Sequence, residues 1–193
     1  MAKMDLELWL IRHGETAWSL SGAHTSRTDI PLTQRGRERA RRIEEYLRGA
    51  SFSMVLTSPM LRARETCDIA GLGKFAEVDD DLMELNYGIY EGRTTQDIQK
   101  EVPGWSVWTS PLIDGETLDQ AAERANRVIA HAATKGGRVA LFAHGHILRI
   151  LAACWIQAPP IAGSRLVLGT GTVSTLGFEH ETRAITMWNR SLE

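Results

Sequence analysis

Arg12, His13 and Gly14 close one apolar run, Leu8-Trp9-Leu10-Ile11, and His144, Gly145 and His146 close another, Val139-Ala140-Leu141-Phe142-Ala143. An arginine offers a fixed fork of donors suited to phosphate oxygens. An imidazole is a nucleophile or proton carrier near neutral pH. Glycine lets the backbone turn closely around an anion. Taken alone, Arg-His-Gly is a common triplet, and a strand end with an exposed arginine would account for it. The recurrence far along the chain adds weight, because two strand ends each deliver a histidine followed by glycine. Arg62 and Glu84 are the other two candidates. Arg62 lies just after Ser58-Pro59, and Glu84 lies between Met83 and Leu85. Burial between those apolar neighbours would raise the Glu84 pKa by desolvation.

Two arginines, two histidines and one carboxylic acid suit phosphoryl transfer through a phosphohistidine. One histidine attacks phosphorus, while the cations and the second histidine neutralise the transferring oxygens. The acid protonates the departing alkoxide and then takes a proton from water. The chemistry asks for no metal and no cofactor. His144-Gly145-His146 is too isolated a pair for a zinc site, and the chain has no His-Glu-x-x-His stretch.

The elements that must position these groups follow from periodicity. Short apolar runs ending in turn residues read as buried strands, here residues 6–11, 52–57, 74–78 and 138–143. Ligands of open α/β sheets bind beyond the carboxyl ends of strands, which places Arg12, His13 and His144 at a common mouth. Thr33 is expected to cap a helix over 34–48, whose many arginines read as a solvated face. Ser58 and Pro59 are expected as N-cap and first residue of a helix ending at Ile69, with Arg62 in its first turn and Arg64 pointing away. Further helices are expected over 94–100, 118–133 and 146–155, and short strands over 165–168, 172–178 and 184–188. Residues 17–28 read as a polar loop beside the site, with Ser19, Ser21, His24, Thr25 and Ser26 as hydrogen-bonding groups. Asp79, Asp80 and Asp81 read as solvated. Residues 102–109 read as an aromatic lid or a satellite hydrophobic cluster. Alternating strands and helices followed by a short β tail argue a three-layer α/β/α sandwich with a mostly parallel sheet.

The 193 residues suit one domain with a sizeable core, with 43% hydrophobic and 24% charged residues. A formal charge of -2 supplies no basic field for nucleic acid. Cys67 and Cys154 lack metal-ligand spacing and read as free thiols of a reducing compartment. No apolar run is long enough to span a bilayer, and the amino-terminal residues lack the apolar core of a signal peptide, so a cytoplasmic location is expected.

Five motifs occur in order: Leu10-Ile11-Arg12-His13-Gly14-Glu15-Thr16, Pro31-Leu32-Thr33-x-x-Gly36, Ser58-Pro59-x-x-Arg62-Ala63-x-x-Thr66, Glu84-x-x-x-Gly88-x-x-Glu91-Gly92 and Ala143-His144-Gly145. Together they resemble the histidine phosphatase superfamily, in its phosphoglycerate mutase-like branch, over nearly the whole chain. One such motif is weak; five in order are specific. The resemblance implies a phosphoglycerate mutase-like fold over residues 1–193, with loops 17–28 and about 79–116 as a cap. It implies His13 as nucleophile, Arg12, Arg62 and His144 around the phosphate, and Glu84 as proton donor. Ser19, Thr25, Ser26, Tyr87 and the backbone of Gly145 match substrate-contacting positions. Ser19 stands where mutases carry an asparagine, and Ser26 replaces the glycine of a Thr-Gly pair.

Between Gly92 and Glu116 the chain carries only Arg93 and Lys100 as basic residues, and it lacks the longer middle segment of bisphosphate-dependent mutases. That favours hydrolysis. The segments 18–25 and 105–109 also resemble bacterial broad-specificity acid phosphatases and sedoheptulose-bisphosphatase-like enzymes. The implied activity is a phosphomonoesterase for small phosphorylated substrates with an acid optimum. Phosphoglycerate mutase activity and a catalytically inactive phosphate-binding module are the alternatives. A homodimer is left open.

Overall fold

β1 (Leu6–Arg12) is the hub of the sheet. It pairs in parallel with β4 (Gly137–Ala143), Leu6 opposite Gly137 and Arg12 opposite Ala143. β2 (Met54–Thr57) pairs in parallel with the other side of β4, Thr57 opposite Phe142, and β3 (Ala76–Val78) continues beyond β2. On the far side of β1, β5 (Val173–Glu179) and β6 (Thr182–Arg190) run antiparallel. A computed structural model describes residues 5–192, and among these the strands form one six-stranded sheet of order β3-β2-β4-β1-β5-β6. The sheet is mostly parallel. Residues 1–4 and 193 lie outside the described residues, and with them much of the stretch read above as lacking a signal-peptide core.

Strand alternation sends side chains to two separate cores. Leu8, Leu10, Leu56, Val139 and Leu141 face one side, where they meet Ala121, Ala125 and Val128 of α5 (Leu118–Ala133) and Ile147, Leu148 and Leu151 of α6 (Gly145–Trp155). Ile11, Val55, Ala140 and Phe142 face the other, against Ile43 and Leu47 of α2 (Gln34–Leu47) and Cys67 of α3 (Leu61–Ile69). This is the α/β/α sandwich expected from the alternation of elements. Leu8, Leu10 and Ile11 are fully buried, and each side chain contributes about 1.5–3 kcal/mol by leaving water.

The structure departs from the sequence reading where local hydrogen bonds outweigh pattern. Residues 17–28 are not all loop: Ala17–Ser21 is a short helix, α1, held by a reciprocal capping box between Thr16 and Ser19. α3 begins at Leu61, so Pro59 precedes it and Ser58 is not its cap. The Asp29 carboxylate instead accepts from the Leu61 N–H at 2.7 Å. Residues 73–75 form a 3-10 turn ahead of β3. The 94–100 expectation corresponds to α4 (Thr95–Glu101), capped by Thr94. Residues 165–168 are no strand. A 3-10 helix, Pro160–Arg165, precedes an irregular stretch whose Val167 carbonyl accepts from Trp188 Nε1 at 2.6 Å. Side-chain bonds there replace a strand ladder. In 102–109, Trp105 and Val107 join the core shared with α5 and α6, so this segment is not a satellite cluster.

Candidate active site

Three neighbouring parallel strands end level, and the residue after each carries chemistry. The His13 N–H donates to the Ala143 carbonyl at 3.0 Å, and the Ser58 N–H donates to the Phe142 carbonyl at 2.9 Å. β1, β4 and β2 therefore present His13, His144 and Ser58 side by side at their carboxyl ends.

The turn after β1 is clamped from behind. The Gly14 N–H donates to Thr66 Oγ1 at 3.0 Å, and Thr66 Oγ1 donates to the Arg62 carbonyl at 2.7 Å. Thr33 Oγ1 donates to Glu15 Oε1 at 2.9 Å while accepting from the Gly36 N–H at 3.0 Å. Gly14 and Gly36 pass so close that a Cβ on Gly14 would stand 2.4 Å from the Gly36 carbonyl oxygen. The motif residues Gly14, Thr33, Gly36 and Thr66 thus hold the His13 turn against α2 and α3.

Hydrogen-bond bookkeeping fixes both histidine tautomers. His13 Nδ1 lies 2.7 Å from the Gly14 carbonyl oxygen, which only accepts, so Nδ1 carries the hydrogen and Nε2 keeps its lone pair. Burial, then Arg12 and Arg62, hold the His13 pKa well below its ordinary value, so the imidazole stays neutral and nucleophilic. His144 Nδ1 accepts from Arg62 Nε at 3.1 Å, which leaves Nε2–H to donate to Ser58 Oγ at 2.7 Å. Burial, then Arg62, likewise depress the His144 pKa. The two rings lie with centroids 5.2 Å apart at 60°.

Arg62 is fully buried. Besides His144, it donates through Nη1 to the Thr28 carbonyl at 3.2 Å and through Nη2 to the Thr25 and Ser26 carbonyls at 3.1 and 2.9 Å. It ties the 17–28 segment to the histidines and keeps one Nη1 hydrogen in reserve. Arg12 donates through Nη1 to the Leu168 carbonyl, and its buried Nε has no hydrogen-bond partner. An orphaned guanidinium N–H beside His13 is what an entering anion would satisfy.

Glu84 is buried and accepts from three backbone N–H groups. Its Oε1 takes Leu85 at 2.9 Å, His146 at 3.1 Å and Ile147 at 2.9 Å, and its Oε2 takes His146 at 3.0 Å. The carboxylate thereby caps the amino end of α6, where helix N–H groups favour negative charge. The sequence expectation of a raised pKa does not hold for the unliganded site. Burial does push the Glu84 carboxyl up, but contact with His146 and the neighbouring His144 carry it well below the usual carboxylate range.

The cleft above these groups holds about 160 Å³ and is lined by Arg12, His13, Glu84 and Gly145, with Ser19, Thr25, Tyr87, His24, His146 and Arg149 around its rim. A larger cleft of about 430 Å³ opens on another side of Glu84, but it lacks His13, and its Arg124 is already paired with Glu116 at 2.6 Å. Of the sequence-derived site residues, Arg12, His13, Glu84, Ser19, Thr25, Tyr87 and Gly145 line the smaller cleft, and Arg62 and His144 lie buried beneath. Ser26 does not reach it: its hydroxyl donates to the Glu84 carbonyl at 3.4 Å and its N–H bonds the Glu91 carboxylate at 2.9 Å. Ser19 lines the cleft while its hydroxyl serves the α1 cap. The sequence reading gave no role to His146 or Arg149. Their spacing of three on α6 puts both on one face of the helix, the face that borders the cleft, a signal present in the periodicity.

The sequence model of the histidine phosphatase superfamily, branch 1, matches residues 8–191. The chain belongs to this superfamily. Proteins similar to it include an acid phosphatase of Mycobacterium tuberculosis, 39% identical over 189 residues that cover 96% of this chain and 93% of that protein. A sedoheptulose 1,7-bisphosphatase of Saccharomyces cerevisiae is 36% identical over 179 residues, covering 76% of this chain and 66% of that longer protein. The solved structure of the open reading frame Rv3214 from M. tuberculosis superimposes with a TM-score of 0.91 at 34% identity, over 98% of this chain and 100% of that one. Among the described residues, no helix is long and apolar enough to cross a membrane.

Proposed function

We propose that this histidine phosphatase hydrolyses small phosphomonoesters through a phosphohistidine on His13. The observation that carries the reading is the His13 tautomer: Nδ1–H is anchored on the Gly14 carbonyl, so a neutral Nε2 lone pair is left to attack. The orphaned Arg12 Nε and the spare Arg62 hydrogen receive the phosphoryl oxygens, and His144 holds the Arg62 guanidinium in place through its Nδ1. Glu84 protonates the leaving alkoxide and later takes a proton from the attacking water. A cleft of about 160 Å³ suits a phosphate with a small organic portion. The residue roles also agree with the phosphatase names of the relatives.

An acid optimum belongs to the same reading. A depressed His13 pKa keeps the nucleophile neutral in mild acid, while lower pH increases the protonated fraction of Glu84. Segments 17–28 and 79–116 act as the cap. A cytoplasmic location is in keeping with Cys67 and Cys154, both free thiols.

The test is phosphate release at acid and neutral pH by wild type and His13→Ala, with p-nitrophenyl phosphate, 3-phosphoglycerate, and sugar mono- and bisphosphates. Release that vanishes with His13 supports the phosphatase. Release retained by His13→Ala refutes the nucleophile. Isomerisation of phosphoglycerate without release would make the protein a mutase, and an inert wild type that still binds phosphate would make it a binding module.

A further inference from the structure

His146 belongs to the His144-Gly145-His146 triplet, yet the mechanism above leaves its side chain unused. Its place in the second position of α6 puts its backbone N–H on Glu84, and its side chain turns back toward the same carboxylate. Nδ1 lies 2.7 Å from the Tyr87 hydroxyl and 3.7 Å from Glu84 Oε2. Only 17% of the side chain is exposed. Trp108 and Tyr87 pack on the ring, with centroids 5.2 and 5.7 Å away, and fix its orientation.

Glu84 has a difficulty that this neighbour resolves. A general acid must hold a proton, but four N–H contacts from three backbone groups hold Glu84 as an anion. The charged groups around it act in the same direction. Arg12 at the end of β1, Arg62 on α3 and Arg149 on α6 are all coupled to Glu84 electrostatically. His13, His24 and His144 have lowered pKa values and stand by as neutral rings, and burial keeps the Tyr87 phenol protonated. Glu91 is the further carboxylate that bears on His24 and Tyr87.

We propose that His146 is a positioning residue that delivers a proton to Glu84 before leaving-group departure and recovers one after hydrolysis. The inference rests on the phosphohistidine reading. In the first half-reaction, the Nδ1–H bond of the His146 imidazolium breaks and a Glu84 O–H bond forms, across a ring movement or one bridging water. The bound phosphate adds negative charge that favours this transfer. As His13 Nε2 bonds to phosphorus, the P–O bond to the leaving group breaks and the Glu84 proton passes to the departing oxygen, giving the alcohol. In the second half-reaction, water attacks the phosphohistidine, its proton goes to Glu84, and the P–N bond breaks to release phosphate. Glu84 then returns that proton to His146. Tyr87 orients the ring throughout.

The experiment compares wild type with His146→Asn, which keeps a polar atom near the Nδ1 position and the backbone N–H but cannot carry a proton. His146→Gln is the second variant, and melting temperatures check that both fold. kcat/KM is measured from pH 4.5 to 8 with p-nitrophenyl phosphate, whose leaving group needs little protonation, and with β-glycerol phosphate, whose alkoxide needs a full proton. The expected result is a loss on glycerol phosphate about 10-fold or more greater than the loss on p-nitrophenyl phosphate, with an altered pH profile only for the alkyl substrate. Equal losses on both substrates, or no loss on either, would overturn the relay while leaving the phosphatase intact. A wild type inert on both would overturn the functional reading itself.

Discussion

Replacing Arg62 with methionine removes a buried cation that serves two structures at once. The substitution strips the donor from His144 Nδ1 and from the carbonyls of Thr25, Ser26 and Thr28. A hydrogen bond to a charged donor contributes about 1.5–3 kcal/mol, so four of them sum to about 6–12 kcal/mol in gross terms. Relief of the several kcal/mol spent on desolvating the guanidinium offsets part of this. The net loss worked from these contacts is about 3–5 kcal/mol, a large share of the 5–15 kcal/mol typical of whole domains. Urea unfolding at pH 7, followed by the fluorescence of the six tryptophans, reads it directly. The midpoint should fall by about 1–3 M. Phosphatase activity should fall too, because the 17–28 segment and His144 both lose their anchor. A stability change below about 1 kcal/mol would refute the assignment of Arg62 as the tie between that segment and the histidines.

Three further perturbations follow from the geometry. Gly14→Ala drives a Cβ to 2.4 Å from the Gly36 carbonyl oxygen, a backbone contact that cannot swing aside, and should cost about 3 kcal/mol in denaturant unfolding and most of the activity. His24 is depressed to about 4, by burial first and then by His146, so the unfolded chain binds a proton that the folded one refuses between pH 6.5 and about 4. Stability from this group is lost as pH falls through that window, and in His24→Gln the melting temperature should decline less from pH 6.5 to 4 than in wild type. For the wild-type reaction, kcat/KM on an alkyl phosphate should rise as pH falls from 8 and drop only well below pH 6.5, where His13 protonates; a maximum at alkaline pH would contradict the assigned roles.

The middle of the sheet was legible because β1, β2 and β4 are built on short apolar runs that stop at turn residues. Leu8 to Ile11 and Val139 to Ala143 announced both their burial and the place where the chain turns, and the histidines inherited their positions from that. α2 and α5 were legible for the same reason, through apolar residues at helical spacing behind a threonine cap. What local pattern hid was set by partners distant in sequence. Asp29 bonds the first N–H of α3 across 32 residues, in the place the sequence suggested for Ser58, whose hydroxyl accepts from His144. Leu168 looked like strand, but its carbonyl is taken by Arg12 from 156 residues away. The direction of the Glu84 pKa was the sharpest case. Its apolar neighbours argued for desolvation, and burial is indeed the largest influence, yet the amino end of α6 and His146 outweigh it. No spacing within residues 79–92 reveals that a helix beginning at Gly145 will be docked on that carboxylate.

The most direct test of the account is to trap the phosphoenzyme. Wild type is mixed with a phosphorylated substrate carrying labelled phosphate, quenched within milliseconds in alkali, and digested for mass spectrometry. The account requires an acid-labile, alkali-stable phosphate on the imidazole of His13, formed at a rate no slower than turnover and absent from His13→Ala. Full turnover with no labelled histidine, or with the label on His144 or His146, would contradict it.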